Sequence, residues 1–414
     1  MAKGNFIEYV ISDDPNKYPN ESEQDGYYYR KVVQGGSNSG QYVWSKQESE
    51  NGKILEYVVG DTESDYPDGG WKDGFWYVLK LAITPYLSFI GNEDFTLKTN
   101  NTTKNWDGTL EYSTDKSTWN TWNGTAISSV GGKLYLRGTG NTKITGDSPN
   151  YSFKFTGTNT LKIACEGNIE NLLDYETVSA GGHPTMADLC YGNMFSGCTA
   201  LTTSPELPAT TLAKNCYYNM FRDCTSLTSA PELPATTLAD LCYYYMFNGC
   251  TSLTTAPELP ATTLAYSCYG YMFNGCTSLT TAPELPATTL AEKCYEYMFY
   301  CCESLTTAHE LPATTLADSC YADMFEGCTS LTTAPALPAT TLATYCYSYM
   351  FNGCTKIKLS TTRTGEYQTA YRIPKSGTGT TATNALSSMF TNTGGTFTGT
   401  PEINATYYTS NTVV

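Results

Sequence analysis

Sixteen cysteines, two histidines and a periodic row of glutamates are the residues of this 414-residue chain whose types could do chemistry. Fourteen of the cysteines fall into two series with a 26-residue period. One runs Cys190, Cys216, Cys242, Cys268, Cys294, Cys320, Cys346, and the other runs Cys198, Cys224, Cys250, Cys276, Cys302, Cys328, Cys354. Only Cys165 and Cys301 stand outside. A zinc tetrahedron needs close pairs of Cys or His, and a small disulfide-stapled domain has irregular spacings. Here each cysteine recurs once per unit, so two ladders of small, buried, reduced side chains are expected. Disulfides between ladders are the alternative. Stacked coils about 4.8 Å apart lie within bridging distance, but a reducing cytoplasm works against them.

His309 occupies the slot that other units fill with Pro257 or Pro283, which marks it as a tolerated substitution. His183 lies in an "AGGHPT" loop with no evident partner in the sequence. No Ser-His-Asp order, phosphate-cradling glycine loop or metal-spaced histidine pair occurs. No catalytic residue, metal or cofactor is therefore expected. The carboxylates Glu206, Glu232, Glu258, Glu284 and Glu310 recur at the period and would stack in a row about 4.8 Å apart. Like charges side by side are tolerated on a solvated, salt-screened surface. The sharper alternative is that Glu232, Glu258 and Glu284 hold calcium or another cation, or meet a basic partner. Each "PELP" also fits a Pro-x-x-Pro pattern, but its repetition at one bend is explained by structure.

The elements that must position these residues follow from the repeat itself. In each unit "SLTTA" alternates like a short strand, "PELP" breaks it, "ATTLA" is extended again, and "xxCYxYMFxGC" closes the turn. Leu264, Cys268 and Met272 stand four apart, the spacing of one helical face, with Gly275 where a C-terminal cap would fall. One strand and one short helix per unit describe a leucine-rich-repeat solenoid. The phrase "MFNGCTSLTTAPELPATTLA" resembles the BspA-type leucine-rich repeats, over Cys190 to Cys354. That resemblance implies a right-handed solenoid that binds proteins or glycans at cell surfaces, and it supplies no catalytic residues. The 26-residue period, the Met-Phe pair and the paired cysteines depart from it, so the binding face does not carry over.

The fold class expected is mainly β with short helices: a solenoid of seven 26-residue repeats over residues 181–354, preceded by a β-sandwich-like domain and a small N-terminal β module. Residues 355–414 read as a degenerate repeat and C-terminal cap. There Lys356, Lys358 and Arg363 enter a formerly uncharged strand and end the stacking, and Met389-Phe390 repeats the turn without cysteines. Residues 83–180 alternate in "FTLKT", "LEYST", "KLYLRG" and "YSFKFTG", the pattern of a sandwich. "LEYSTDKSTWNTW" is similar to a module that precedes such repeats in gut bacterial and gut phage proteins, where it would cap the first coil. Residues 1–82 read as a third unit, with a hairpin around Gly35 to Gly40. Its closing "YPDGGWKDGFWYVL" is similar to the ends of attachment modules in phage tail and fibre proteins.

Positions the repeat leaves free are the informative ones. Two residues before the first Cys, two after Cys-Tyr and the first after Met-Phe vary from copy to copy. In them stand Tyr218, Tyr244, Tyr245, Asn248, Tyr266, Tyr271, Asn274, Tyr297 and Tyr349, interspersed with Arg222, Glu296, Tyr300, Asp323 and Glu326. With Leu, Cys and Met facing inward, helical spacing puts these slots on the outward side. A ribbon of Tyr, Asn, Ser, Asp and Gly is the composition of adaptable recognition surfaces. Tyr is costly to expose, and surface drift alone would favour Lys and Glu.

With 24 Lys plus Arg against 40 Asp plus Glu, the formal net charge is −16. No basic cluster offers itself to nucleic acid or an anionic membrane, and no apolar run approaches a transmembrane length. The opening "MAKGNF" lacks the apolar core of a signal peptide, so a cytoplasmic origin is expected. Taken with the resemblances to phage modules, which imply it, these lead to the expectation of a non-enzymatic phage virion protein, a tail or head fibre. Its N-terminal module would meet other virion proteins, and its solenoid would meet a host-surface glycan or protein. Homo-oligomerisation is implied by the fibre resemblance alone. The alternatives are a bacterial cell-surface adhesin and a glycan-processing enzyme using the glutamate row.

Overall fold

The computed structural model describes residues 84–146 and 148–410, and upstream of them the backbone of six strands. The chain divides into two compact units, Met1–Thr84 and Pro85–Val414. In the first, β1 (Phe6–Tyr9), β2 (Tyr29–Val33) and β3 (Tyr42–Lys46) form one antiparallel sheet in that order. A second sheet has the order β4 (Leu55–Gly60), β6 (Phe75–Leu81), β5 (Gly70–Lys72). Val33 pairs with Tyr42 in the backbone register of β2 and β3, and Trp71 with Trp76 in that of β5 and β6. The hairpin tip at Gly35 to Gly40 and the attachment surface expected in this unit lie outside the described residues.

The second unit begins with two sheets. One runs in the order β10 (Asn120–Trp122), β9 (Thr109–Ser113), β12 (Lys133–Thr139), β7 (Leu87–Gly91), β14 (Ile163–Glu166), β15 (Leu201–Thr203). The other runs β11 (Ile127–Ser128), β8 (Thr96–Thr99), β13 (Phe153–Thr156). Period-2 alternation gives each an apolar face: Leu97 is buried on β8, and Leu134 and Leu136 on β12. Phe89 of β7 lies 5.2 Å from Phe155 and 6.5 Å from Phe153 of β13, and Trp122 packs edge-on against Phe153 at 5.3 Å. The two sheets thus share one aromatic core. The first repeat grows out of it, because Ile144, Phe153 and Ile163 donate backbone hydrogen bonds to Cys190, Met194 and Ala200.

The short helix expected in each repeat does not form. The one α-helix among the described residues is α1 (Asn171–Ser179), ahead of the array. In the repeat around Cys268, Ser267, Tyr271 and Gly275 have φ of 46°, 55° and 72°. A left-handed residue at every fourth position is incompatible with a right-handed helix. The amides divide their work instead. Cys268, Gly270, Met272, Asn274 and Cys276 donate to the carbonyl three residues back, closing successive turns. Between them, Ser267, Tyr269, Tyr271, Phe273 and Gly275 donate to Glu292, Cys294, Glu296, Met298 and Tyr300 of the next coil. A helix would satisfy these amides internally and leave stacked coils nothing to exchange. Turn ribbon and helix share a four-residue recurrence, which is why the spacing reads as helical.

That recurrence sends side chains in and out in pairs. Cys268-Tyr269, Met272-Phe273 and Cys276 are fully buried or nearly so, while Tyr271 and Asn274 are half-buried and Tyr266 is exposed. Inside, Tyr191 to Tyr347 form a column of parallel rings 5.5–5.8 Å apart. Phe195 to Phe390 form a second at 5.4–5.7 Å. The segment read as a recurring strand is regular only at β15. Further along, extended chains touch through single parallel bridges such as Ser229 with Thr255 and Thr281 with Thr307, since the "PELP" prolines have no N–H to continue a ladder.

Stacking does not end at the coil that begins with Cys346. Tyr347 and Phe351 donate to Ala385 and Met389, and Phe351 stacks on Phe390 at 5.4 Å. Residues 383–391 therefore lay down one more coil. Lys358 sits on the surface beside Glu366 at 3.4 Å, without blocking it. The closure is made by β16 (Leu359–Ser360), β18 (Thr406–Thr409) and β17 (Thr369–Arg372), in that order, with Tyr371 edge-on to the last ring, Phe390, at 5.8 Å. Arg372 ties the cap by donating to the carbonyls of Pro374, Gly377 and Asn404.

Candidate functional site

The cysteines occupy the core. All sixteen are free thiols, and every one except Cys301 is buried. Burial pushes Cys268 and Cys276 up to about 12, far from a nucleophilic thiolate at neutral pH. The second ladder has a reason to be cysteine. Each thiol donates to the carbonyl of a phenylalanine in the preceding coil, as Cys276 does to Phe247 and Cys302 to Phe273 at 3.1 Å.

The glutamate row is exposed at Glu206, Glu232, Glu258, Glu284 and Glu310. Glu258, Glu284 and His309 line an open cleft of about 420 Å³ together with the "PELP" prolines. Among the described residues no group of three or more His, Cys, Asp or Glu comes together to hold a metal ion. His183, which has no evident partner in the sequence, meets the buried carboxylate of Glu170, its Nδ1 lying 2.8 Å from Oε2.

The variable slots are brought together as one surface. Tyr245, Tyr271 and Tyr297 stack face to face on successive coils, with ring centres 4.4 and 4.5 Å apart. A second column, Tyr218 on Tyr244 at 5.7 Å, joins it where Tyr244 meets Tyr245 edge-on at 4.6 Å and Tyr271 at 5.6 Å. Asn248 and Asn274 lie beside them, the Asn248 side-chain amide donating to the Asn274 carbonyl. Tyr266 and Tyr349 are each 41 % exposed and make no ring contact among the described residues. Seven of the nine expected tyrosines and asparagines thus share one patch, and Tyr266 and Tyr349 stand apart from its stack.

The backbone adds an observation the sequence does not carry. Tyr245, Tyr271, Tyr297 and Tyr349 all have φ between 54° and 56°. In this slot of other coils stand Asn193 and Asn219, which accept the left-handed conformation most readily after glycine. A bulky ring there is unfavourable by about 1–2 kcal/mol per residue. Residues held against such a penalty cluster at functional sites.

Charge is graded along the ladder. At one end the Arg222 guanidinium lies 5.8 Å from the Tyr245 ring centre and its Nε 3.4 Å from Asp223. At the other, Asp323 takes the slot where the next tyrosine would stand. The residue as a whole is 8 % exposed. Burial, then the Glu326 carboxylate beside it, pushes Asp323 up to about 8, while a hydrogen bond with Tyr297 acts the other way. Glu296 is also raised, chiefly by burial and against the pull of Lys293. Sequence reasoning placed Arg222, Asp323 and Glu326 in variable slots without assigning them to a site. The one signal was that Asp323 breaks a run of tyrosines.

Residues 190–290 and 243–367 match the family model described as the BspA type leucine rich repeat region, in six copies. No curated protein and no solved structure matches the chain. The repeat region is accordingly similar to BspA-type repeats, a protein-interaction or adhesin-like class typically without enzymatic activity.

Proposed function

We propose that this chain is a non-enzymatic binding protein whose solenoid meets a glycan or protein at a cell surface through the tyrosine ladder. The observation that carries the reading is the run of Tyr245, Tyr271 and Tyr297, stacked on one another and each held at positive φ. Stacking offsets the backbone penalty inside the ladder, whereas Tyr349, in the same slot without a ring partner among the described residues, carries it where asparagine would relieve it. Tyrosine supplies contact area at low entropy cost and a hydroxyl at its tip, as binding surfaces use it. Burial, then neighbouring phenols at Tyr271 and the Asp323 and Glu296 carboxylates at Tyr297, raises both hydroxyls above their usual range, so they stay protonated at any physiological pH.

For the carrier of this surface we infer a phage virion fibre, with residues 1–82 attaching it to the particle. The similarity of "YPDGGWKDGFWYVL" to fibre attachment modules supports this, as does the acidic charge. Finding this chain among the peptides of purified particles tests it, and finding it only in bacterial envelope fractions counts against it. The binding reading is tested by whole-cell and glycan-array binding of the full chain against a variant with Tyr245, Tyr271 and Tyr297 changed to Ala. Loss of binding in a folded variant is expected, and unchanged binding overturns the ladder as the binding face.

A further inference from the structure

The ladder's inner faces are already taken. Rings 4.4 and 4.5 Å apart leave no space for a sugar ring or another flat group between them. The open aromatic faces are at the break. No ring stacks on Tyr297 from the next coil, where Asp323 stands, and Tyr300 meets it edge-on from its own coil at 5.5 Å. Beyond Asp323 the slot returns to Tyr349, 41 % exposed and without a ring partner among the described residues. Two coil spacings, about 10 Å, separate these tyrosine positions, enough to seat one group between them.

The floor of this break is unusual in its charge. Asp323 is buried next to Glu326 and hydrogen-bonded with Tyr297, with Glu296 and Tyr300 the other titratable groups near it and Cys301 beside Tyr300 and Glu326. Asn352 donates to Glu326 at 2.8 Å. Among the described residues neither Asp323 nor Glu326 has an ion-pair partner, and Lys293 is engaged with Glu296 at 3.7 Å. A buried carboxyl beside a half-buried carboxylate, with no ion-pair partner among the described residues, is costly unless it keeps a proton or gains a cation. Aromatic faces above carboxylates are what a guanidinium or ammonium group binds best.

Resting on the ladder as binding face, we infer that the break at Asp323 seats a cationic side chain of a basic protein segment, between Tyr297 and Tyr349 and over the Asp323 and Glu326 carboxylates. The chain's net charge of −16 draws such a partner in. This selects a protein carrying exposed arginine or lysine over a neutral glycan.

The test is fluorescence anisotropy of a labelled oligoarginine peptide with the full chain, set against oligoglutamate and an uncharged Gly-Ser peptide. Wild type is expected to bind oligoarginine alone, and Asp323→Asn or Tyr349→Asn to weaken it about tenfold. Both variants keep the fold, asparagine being suited to positive φ and to a buried site that favours a neutral group. Glu232→Gln removes one carboxylate elsewhere, as Asp323→Asn does at the break, and should leave the affinity unchanged. Equal weakening by the glutamate-row variant means diffuse attraction and overturns the seat. Absence of oligoarginine binding, while the triple tyrosine variant still abolishes cell binding, overturns the seat and leaves the ladder standing. Cell binding that survives the triple variant overturns the ladder and the seat with it.

Discussion

Tyr271→Asn and Tyr349→Asn place the same change on the same backbone conformation, and they should move stability in opposite directions. Both residues sit near φ 55°, so asparagine relieves about 1 kcal/mol at each. Tyr271 gives up in exchange two stacked neighbours at 4.4 and 4.5 Å and an edge contact with Tyr244 at 5.6 Å. At about 1 kcal/mol per aromatic pair, it loses about 3 kcal/mol and ends about 2 kcal/mol less stable. Tyr349 has no ring to lose among the described residues and ends about 1 kcal/mol more stable. For a unit of this size the gap of about 3 kcal/mol corresponds to melting temperatures on the order of 5 °C apart. Calorimetry of both variants beside wild type reads it directly. If Tyr349→Asn melts below wild type by as much as Tyr271→Asn, the backbone penalty is not real. The ladder's tyrosines would then need no functional explanation.

Other outcomes follow from the same geometry. Tyr217 and Tyr321 carry buried hydroxyls without hydrogen-bond partners, so Tyr217→Phe and Tyr321→Phe should leave the melting temperature unchanged or raise it by about 1 kcal/mol equivalent. In native protein one thiol, Cys301, should react with Ellman's reagent well ahead of the others, and all sixteen after denaturation; several fast-reacting thiols in the native state would contradict the buried ladders. Asp323 is protonated in the fold and ionised in the unfolded chain between its ordinary 3.8 and about 8. The unfolded state then binds fewer protons, so stability should fall as pH rises through that window and level off above it, and Asp323→Asn should flatten the slope. Arg137 lies 4.1 Å from the Trp119 ring centre and 4.4 Å from Tyr175, with Glu111 at 2.8 Å; Arg137→Ala should cost about 2 kcal/mol by denaturant titration, where Arg137→Lys recovers only part.

Much of the solenoid was legible because its period places one residue type at one depth. Cys268, Met272 and Phe273 are buried for the reason their recurrence suggests, and the slots at Tyr244, Tyr245 and Tyr271 face outward as variation among copies implies. The local conformation was misread because a helix and a ribbon of turns share a recurrence of four. What separates them is the sign of φ at Ser267 and Tyr271, and neither residue announces a left-handed backbone as glycine does. The last coil was misread for a different reason. Lys358 brings a charge into an uncharged strand, but its long side chain reaches solvent and Glu366.

By itself, then, the sequence determined the repeat, its two cysteine ladders, and the inward and outward slots. These depend on order along the chain, and order is all that periodicity needs. Tertiary structure alone decided that the outward tyrosines stack on one another and are held at positive φ. It alone buried Asp323 at the break in the tyrosine run, beside Glu326 and with no ion-pair partner among the described residues. Residues 26 apart become neighbours only when the coils close on each other, so whether their side chains touch, repel or leave a seat for a third group is settled by the distance between coils.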